Sequence, residues 1–334
     1  METHEAILAV DHLTKWFSVK SELFSRAKSY VKAVDDVSFA VYPGETVGLV
    51  GESGCGKSTL ARSILRLIEP TSGEVFYKGQ DLLKMDRKQI NDLRRNIQII
   101  FQDPNGSLHP KMKIKDILEA PLIISKYGTK EERKTRVLEL IEKVELKPEH
   151  LERYPHEFSG GQRQRIVIAR ALATKPDLVI CDEPVSALDV SVRSQILNLL
   201  ENLQEQMGLT YLFISHDLSV VEHICHRVIV MYLGKIVESA PAEKLYARPL
   251  HPYTKVLLSA VPRVYAKDRS GERINLEGDI PSPIDPPSGC RFRTRCHYAT
   301  DLCAREPFLR DIGGGHLVAC HLCQEPDLTK DPVR

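Results

Sequence analysis

The segment Gly51-Glu-Ser-Gly-Cys-Gly-Lys57-Ser58 constrains this chain more than any other. It has the G-x-x-x-x-G-K-[ST] spacing of a phosphate-binding loop, set between the apolar run Thr46-Val-Gly-Leu-Val50 and the helix-like run Thr59-Leu-Ala-Arg-Ser-Ile-Leu. Strand, loop and helix are expected in that order. Gly51, Gly54 and Gly56 allow positive φ, so successive N–H groups, those of Ser53 and Cys55 included, turn toward phosphate oxygens at the positive end of the helix that opens at Thr59. Lys57 supplies a point charge for the β- and γ-phosphates, and the Ser58 hydroxyl a ligand for Mg2+.

At 334 residues the chain has room for one large domain and a smaller one. Its 46 basic and 45 acidic residues leave a net charge of +1, which gives no global field to attract nucleic acid or an anionic membrane. No run reaches the roughly 18 to 20 apolar residues that span a bilayer, and Met-Glu-Thr-His-Glu lacks a basic region followed by an apolar core. A soluble cytosolic protein is the expectation.

Residues 6–19 and 33–50 read as strands, with Ser21 to Tyr30 as an elaborated loop between them. Trp16 and Phe17 are adjacent on the first, so they point to opposite sides and one is available to stack on a purine ring. Residues 73–79 read as a strand and turn, and residues 96–102 as a strand whose polar end, Gln102, falls at a sheet's carboxyl edge, where α/β sites lie. From residue 114 to about 154 the pattern is helical, with a capping box at Thr129 and Glu132.

Ser159-Gly160-Gly161-Gln162 is a second capping box, and its two glycines leave a helix start bare of side chains and open to an anion. The apolar run Leu178 to Cys181 ends in Asp182 and Glu183. Asp182 suits a phosphate-bound Mg2+, and Glu183 suits a general base facing the attacking water. After Ser186-Ala-Leu-Asp189 comes a helix stopped by Gly208, then the strand Leu209 to Ser215 with His216 at its end, the same edge position as Gln102 and Asp182. His223, Cys225 and His226 read as structural.

With these motifs in this order, residues 6–265 resemble an ATP-binding-cassette ATPase. The resemblance implies an α/β fold: a P-loop NTPase core of RecA type, an antiparallel β subdomain, and an all-helical subdomain at about 103–165. It also implies that two cassettes sandwich two ATP molecules, with Ser159 and Gly161 of one meeting the γ-phosphate held by Lys57 of the other. Gln102 and His216 take the Q-loop and switch roles, Gln102 joins Ser58 and Asp182 around Mg2+, and Phe17 aligns with the adenine-stacking aromatic. The segment Pro249-Leu-His251-Pro252-Tyr253 is similar to that of ATPases in dipeptide and oligopeptide importers, with nickel and glutathione uptake as near relatives. The partners implied are two membrane permease subunits, a second and similar ATPase, and indirectly an external peptide-binding protein; the place implied is the cytoplasmic face of the membrane, with no nucleic acid. Cassette proteins of DNA repair or the ribosome typically carry a long coiled coil, zinc modules with paired Cys-x-x-Cys motifs or a second cassette, and none of these is seen.

In the Cys-rich extension, residues 266–334, a Pro-rich stretch at 278–289 precedes the cysteines. Five of the eight cysteines lie there, four as Cys290-x5-Cys296-x6-Cys303-x16-Cys320. The tail resembles that of peptide-importer ATPases carrying a [4Fe-4S] cluster on these four thiolates, with Arg291, Arg293 and Arg295 offsetting its charge and Cys323 spare. Zn2+ is the alternative, although its sites favour Cys-x2-4-Cys pairs and only Cys320 with Cys323 offers one.

Overall fold

The computed structural model describes residues 5–19, 29–260 and 279–323. Strands β1 (Leu8–Val19), β2 (Ser29–Val41) and β3 (Thr46–Val50) lead to α1 (Lys57–Ile64). The hairpin β4 (Ser72–Tyr77) and β5 (Gln80–Asp81) precedes α2 (Arg87–Leu93) and β6 (Ile97–Ile100). Four helices follow: α3 (Pro104–Ser107), α4 (Ile114–Ile124), α5 (Lys130–Lys143) and α6 (Gly160–Ala171). Next come β7 (Leu178–Asp182), α7 (Val190–Met207), β8 (Thr210–Ser215), α8 (Leu218–Ile224), β9 (Arg227–Tyr232) and β10 (Lys235–Pro241). Helices α9 (Ala242–Ala247) and α10 (Pro252–Ser259) and the short strands β11 (Arg310–Asp311) and β12 (Leu317–Val318) complete the order.

Two compact units share these elements. The first comprises residues up to 8, 41–46 and 76–214. Its β6, β7 and β8 run parallel, with Ile97 opposite Leu178 and Leu178 opposite Thr210. Leu178 through Cys181 are wholly buried, which is why β7 reads as a continuous apolar run rather than an alternation. Helix α5 opens on the expected box, Thr129 Oγ1 accepting from Glu132 N at 3.3 Å, and buries Val137, Leu140 and Ile141. Arg136 beside them is 4% exposed and donates to Leu172 O at 3.0 Å. A buried cation thereby satisfies the carbonyl end of α6, where the helix dipole is negative.

Three expected boundaries change. Residues 33–50 form two strands rather than one, because Pro43 and Gly44 turn the chain, with Glu45 N bonded to Tyr42 O at 3.1 Å and Gly44 at φ 73°. Of the loop expected at Ser21 to Tyr30, residues up to 28 lie outside the described residues, and Ser29 and Tyr30 begin β2. The strand expected at 96–102 ends at Ile100, which leaves Gln102 two residues beyond it.

The second unit comprises residues 9–40, 47–75 and 215 onward. Its sheet has the order β11-β12-β10-β9-β3, with β3 parallel to β9 and β10 antiparallel to both β9 and β12. The tail therefore contributes strands to this sheet. Glu238 on β10 is fully buried and binds three groups: Leu250 N at 2.8 Å, His251 N at 2.9 Å and His316 Nε2 at 2.7 Å. His251 caps α10 by accepting Tyr253 N–H at Nδ1, 3.1 Å away. Burial holds the His251 pKa down at about 4 although Glu238 acts the other way, so the ring is neutral at pH 7.

The sign for stability follows from that depression. Below pH 6.5 the unfolded imidazole binds a proton that the folded one refuses until about pH 4, so folding stability drops through this window, by up to about 3 kcal/mol. Urea midpoints at pH 7.5, 6 and 5 should fall more steeply for the wild type than for His251→Asn; parallel slopes would assign the acid sensitivity elsewhere.

Candidate active site

In the second unit the phosphate loop joins β3 to α1 as expected, and space behind it dictates its glycines. A Cβ on Gly51 would lie 2.2 Å from Met231 O, and one on Gly56, at φ 110°, would lie 1.9 Å from Ala33 O. No side chain fits at either place. Lys57 is 5% exposed and donates to Gly51 O at 2.8 Å and Glu52 O at 3.0 Å, with Cys55 Sγ at 3.7 Å. Ser58 and Thr59 continue into the first turn of α1, and Ser53 and Gly54 form the loop's bend. Burial raises the Cys55 thiol's pKa, so it remains protonated at neutral pH. His216 stands exposed, one residue past β8.

In the first unit Asp182 is 2% exposed at the end of β7. The next residue, Glu183, takes φ 50°, a left-handed conformation that costs a non-glycine residue about 1 kcal/mol. Glu183 N bonds to Ile214 O at 3.0 Å, and Glu183 Oε2 accepts from Gln102 Nε2 at 3.0 Å. The structure thus joins two residues that the sequence analysis had placed at strand ends separately. Nothing in the residue type at position 183 forecast the left-handed turn.

Ser159 caps α6, its Oγ accepting from Gln162 N at 3.3 Å while Gln162 Oε1 accepts from Ser159 N at 3.1 Å. Ser159 and Gly160 are exposed. Gly161 faces α7 so closely that a Cβ would lie 2.4 Å from Val192 Cγ1. The same helix grips the loop after Gln102: Arg163 Nη1 bonds Asn105 Oδ1 at 2.6 Å, and Arg170 Nη1 donates to Ser107 O. The sequence analysis missed these two arginines; their position in the motif helix was the available signal.

The two aromatics of β1 are treated differently. Trp16 is engaged, its Nε1 donating to Asp35 Oδ1 at 3.0 Å and its ring lying 6.2 Å from Tyr30, whereas Phe17 is 37% exposed beneath Lys15 Nζ.

The tail thiols gather without forming an ion site. Cys290 N bonds Cys303 O at 2.9 Å; burial chiefly, and then the charges of Cys320, Cys303 and Cys296, push the Cys290 pKa up to about 11. Thiolates on one zinc ion lie roughly 4 Å apart. Among the described residues no group of three or more His, Cys, Asp and Glu could hold a metal ion. Cys323 is not idle, because its Sγ donates to Leu250 O at 4.0 Å and its N–H to Cys320 O at 3.4 Å. The arginines also differ from expectation: Arg291 is committed to Asp35 and Leu233 O, Arg295 to Glu52, and Arg293 donates to Ser288 Oγ at 3.1 Å.

Comparison with known proteins is consistent throughout. The ABC transporter family profile matches residues 34–186, and that of the oligopeptide/dipeptide transporter C-terminal region matches residues 237–303. The chain is 53% identical over 327 residues to the dipeptide transport ATP-binding protein DppF of Escherichia coli, covering 96% of this chain and 97% of that one. It is 51% identical over 321 residues to the oligopeptide transport ATP-binding protein AppF of Bacillus subtilis, covering 95% and 98%. Among solved structures, the dimeric cassette MJ0796 in a post-hydrolysis state with ADP and Pi has a TM-score of 0.62 at 32% identity, covering 70% of this chain and 98% of that one. The cbiO1 cassette of Clostridium perfringens has a TM-score of 0.63 at 26% identity, covering 73% and 92%. This chain belongs to the ATP-binding-cassette transporter ATPases, in the branch that carries the oligopeptide/dipeptide transporter C-terminal region.

Proposed function

We propose that this chain hydrolyses ATP to power the import of di- or oligopeptides through partner permease subunits. The turn at Glu183 carries the hydrolytic part, since its carboxylate leaves the buried strand and accepts a hydrogen bond from Gln102. The transport ATP-binding proteins of E. coli and B. subtilis, alike over nearly the whole chain, support the substrate class. Residues 1–265 serve as the nucleotide-binding domain, with the helical subdomain at about 103–165, and residues 266–334 as the tail. Among the described residues no helix is long and apolar enough to cross a membrane. In this reading membrane partners form the transport path, and the chain works peripherally at the cytoplasmic face.

The chemistry assigns one task to each group. Loop amides of residues 51–59 and Lys57 bind the β- and γ-phosphates, and Phe17 stacks on the adenine. Ser58, Gln102 and Asp182 would hold Mg2+, which offsets charge on the transferring phosphoryl group. Glu183 accepts the proton of the attacking water, Gln102 orients that carboxylate, and His216 completes the γ-phosphate contacts. A second, similar cassette presents its own Ser159 to Gln162 segment, and an external peptide-binding protein delivers cargo. For the tail we propose a [4Fe-4S] cluster on Cys290, Cys296, Cys303 and Cys320. A cluster is wider than a single ion, and the Cys-x5-Cys-x6-Cys-x16-Cys spacing supports the common use of these four thiols.

Glu183→Gln should retain ATP binding, lose about 10²-fold or more in kcat and accumulate a closed dimer; near-normal turnover removes Glu183 as the base. Phe17→Ala should weaken ATP binding roughly fivefold, and Trp16→Ala less; the opposite order reassigns the stacking residue. Protein purified without oxygen should contain about four iron and four sulfide per chain, lost in Cys296→Ser; a single zinc and no iron would replace the cluster with a zinc site.

A further inference from the structure

Every polar group of one phosphate-loop residue, Glu52, is held. Its carbonyl oxygen accepts from Cys55 N at 3.2 Å and from Lys57 Nζ at 3.0 Å. Its N–H donates to Tyr253 Oη at 2.9 Å, and its carboxylate meets Arg295 Nη1 at 3.1 Å. The last two partners lie outside the loop, 201 and 243 residues further along the chain.

Those partners are themselves closely packed. Tyr253 is fully buried, and its ring centroid lies 4.6 Å from that of Tyr232 and 5.4 Å from that of Phe292, a tail residue 2% exposed. The Arg295 side chain is 8% exposed and that of Glu52 24%, so this ion pair is largely shielded from solvent and stronger than an open surface pair. A carboxylate inside a loop that receives the phosphate tail of ATP opposes that ligand by its charge. Arg295 neutralises it in place, and Tyr253 fixes the peptide unit that carries it.

We propose that Arg295 and Tyr253 are positioning residues for the nucleotide: they neutralise and immobilise Glu52, so that the C-terminal region sets the affinity of the phosphate loop for ATP. This rests on the assignment of residues 51–58 as the ATP-binding loop, and goes beyond it by making the tail part of that site's electrostatics. A preorganised loop loses less conformational entropy on binding, and a charge-balanced one repels less.

The test uses the full chain, titrated with trinitrophenyl-ATP and assayed for KM and kcat. Arg295→Ala should weaken binding roughly five- to tenfold and raise KM to match, with kcat within about twofold of wild type. Arg295→Lys should recover part of the loss. Tyr253→Phe, which keeps the ring packing, should also weaken binding. The decisive arm is the double variant: adding Glu52→Gln to Arg295→Ala should restore affinity, because the uncompensated carboxylate is gone. A tail that had merely come loose would not be rescued by that change. Should Arg295→Ala fail to fold, Arg295→Gln, which keeps the stem beside Tyr232, carries the same expectations. Unchanged affinity in Arg295→Ala, or no recovery in the double variant, overturns the proposal while wild-type ATP binding stands; failure of the wild type to bind ATP overturns both this and the loop's assignment.

Discussion

The second unit depends on a steric constraint: the backbone carbonyls of Met231 and Ala33 press against the phosphate loop where any side chain would sit. Glycine at 51 and 56 is the condition for the loop to close there at all, and closure is what turns its amides inward. Once the loop is seated, its own carbonyls at Gly51 and Glu52 fix Lys57, and α1 starts in register with them. The parallel pairing of β3 with β9, Val50 opposite Val230, brings the Met231 carbonyl to that position. Loop chemistry and sheet register are thus one arrangement.

In the first unit a comparable economy operates at the end of β7. Three apolar positions and a buried cysteine carry the strand inward, Asp182 ends it, and one left-handed residue turns the following carboxylate toward Gln102. The strain at Glu183 is small beside the burial that anchors the strand before it. A relaxed strand conformation would carry the side chain on with the pleat instead of back to Gln102.

What the sequence made legible was local. The G-x-x-x-x-G-K-S spacing, the capping boxes at Thr129 and Ser159, the apolar run ending in Asp182 and the stop at Gly208 all depend on residues within a turn or two of one another. The division of 33–50 at Pro43-Gly44 was also available locally, but a long β-branched run outweighed the turn dipeptide. What could not be read was long-range pairing. Arg291 and Arg295 bond to Asp35 and Glu52 across 256 and 243 residues, and no spacing rule reaches that far. Proximity in the chain pointed them instead at the neighbouring thiols.

The grip of α6 on the segment after Gln102 has a mechanical consequence. Arg163 holds Asn105 and Pro155 O, Arg170 holds Ser107 O, and Asp103 caps the short α3 between them through Asn105 N and Gly106 N. Fastened at both ends of its first three turns, α6 has no slack against that segment. The segment at residues 104–108 and the helix that begins at the exposed Ser159 are therefore tied by two arginines spaced along that helix, which makes them one hydrogen-bonded piece.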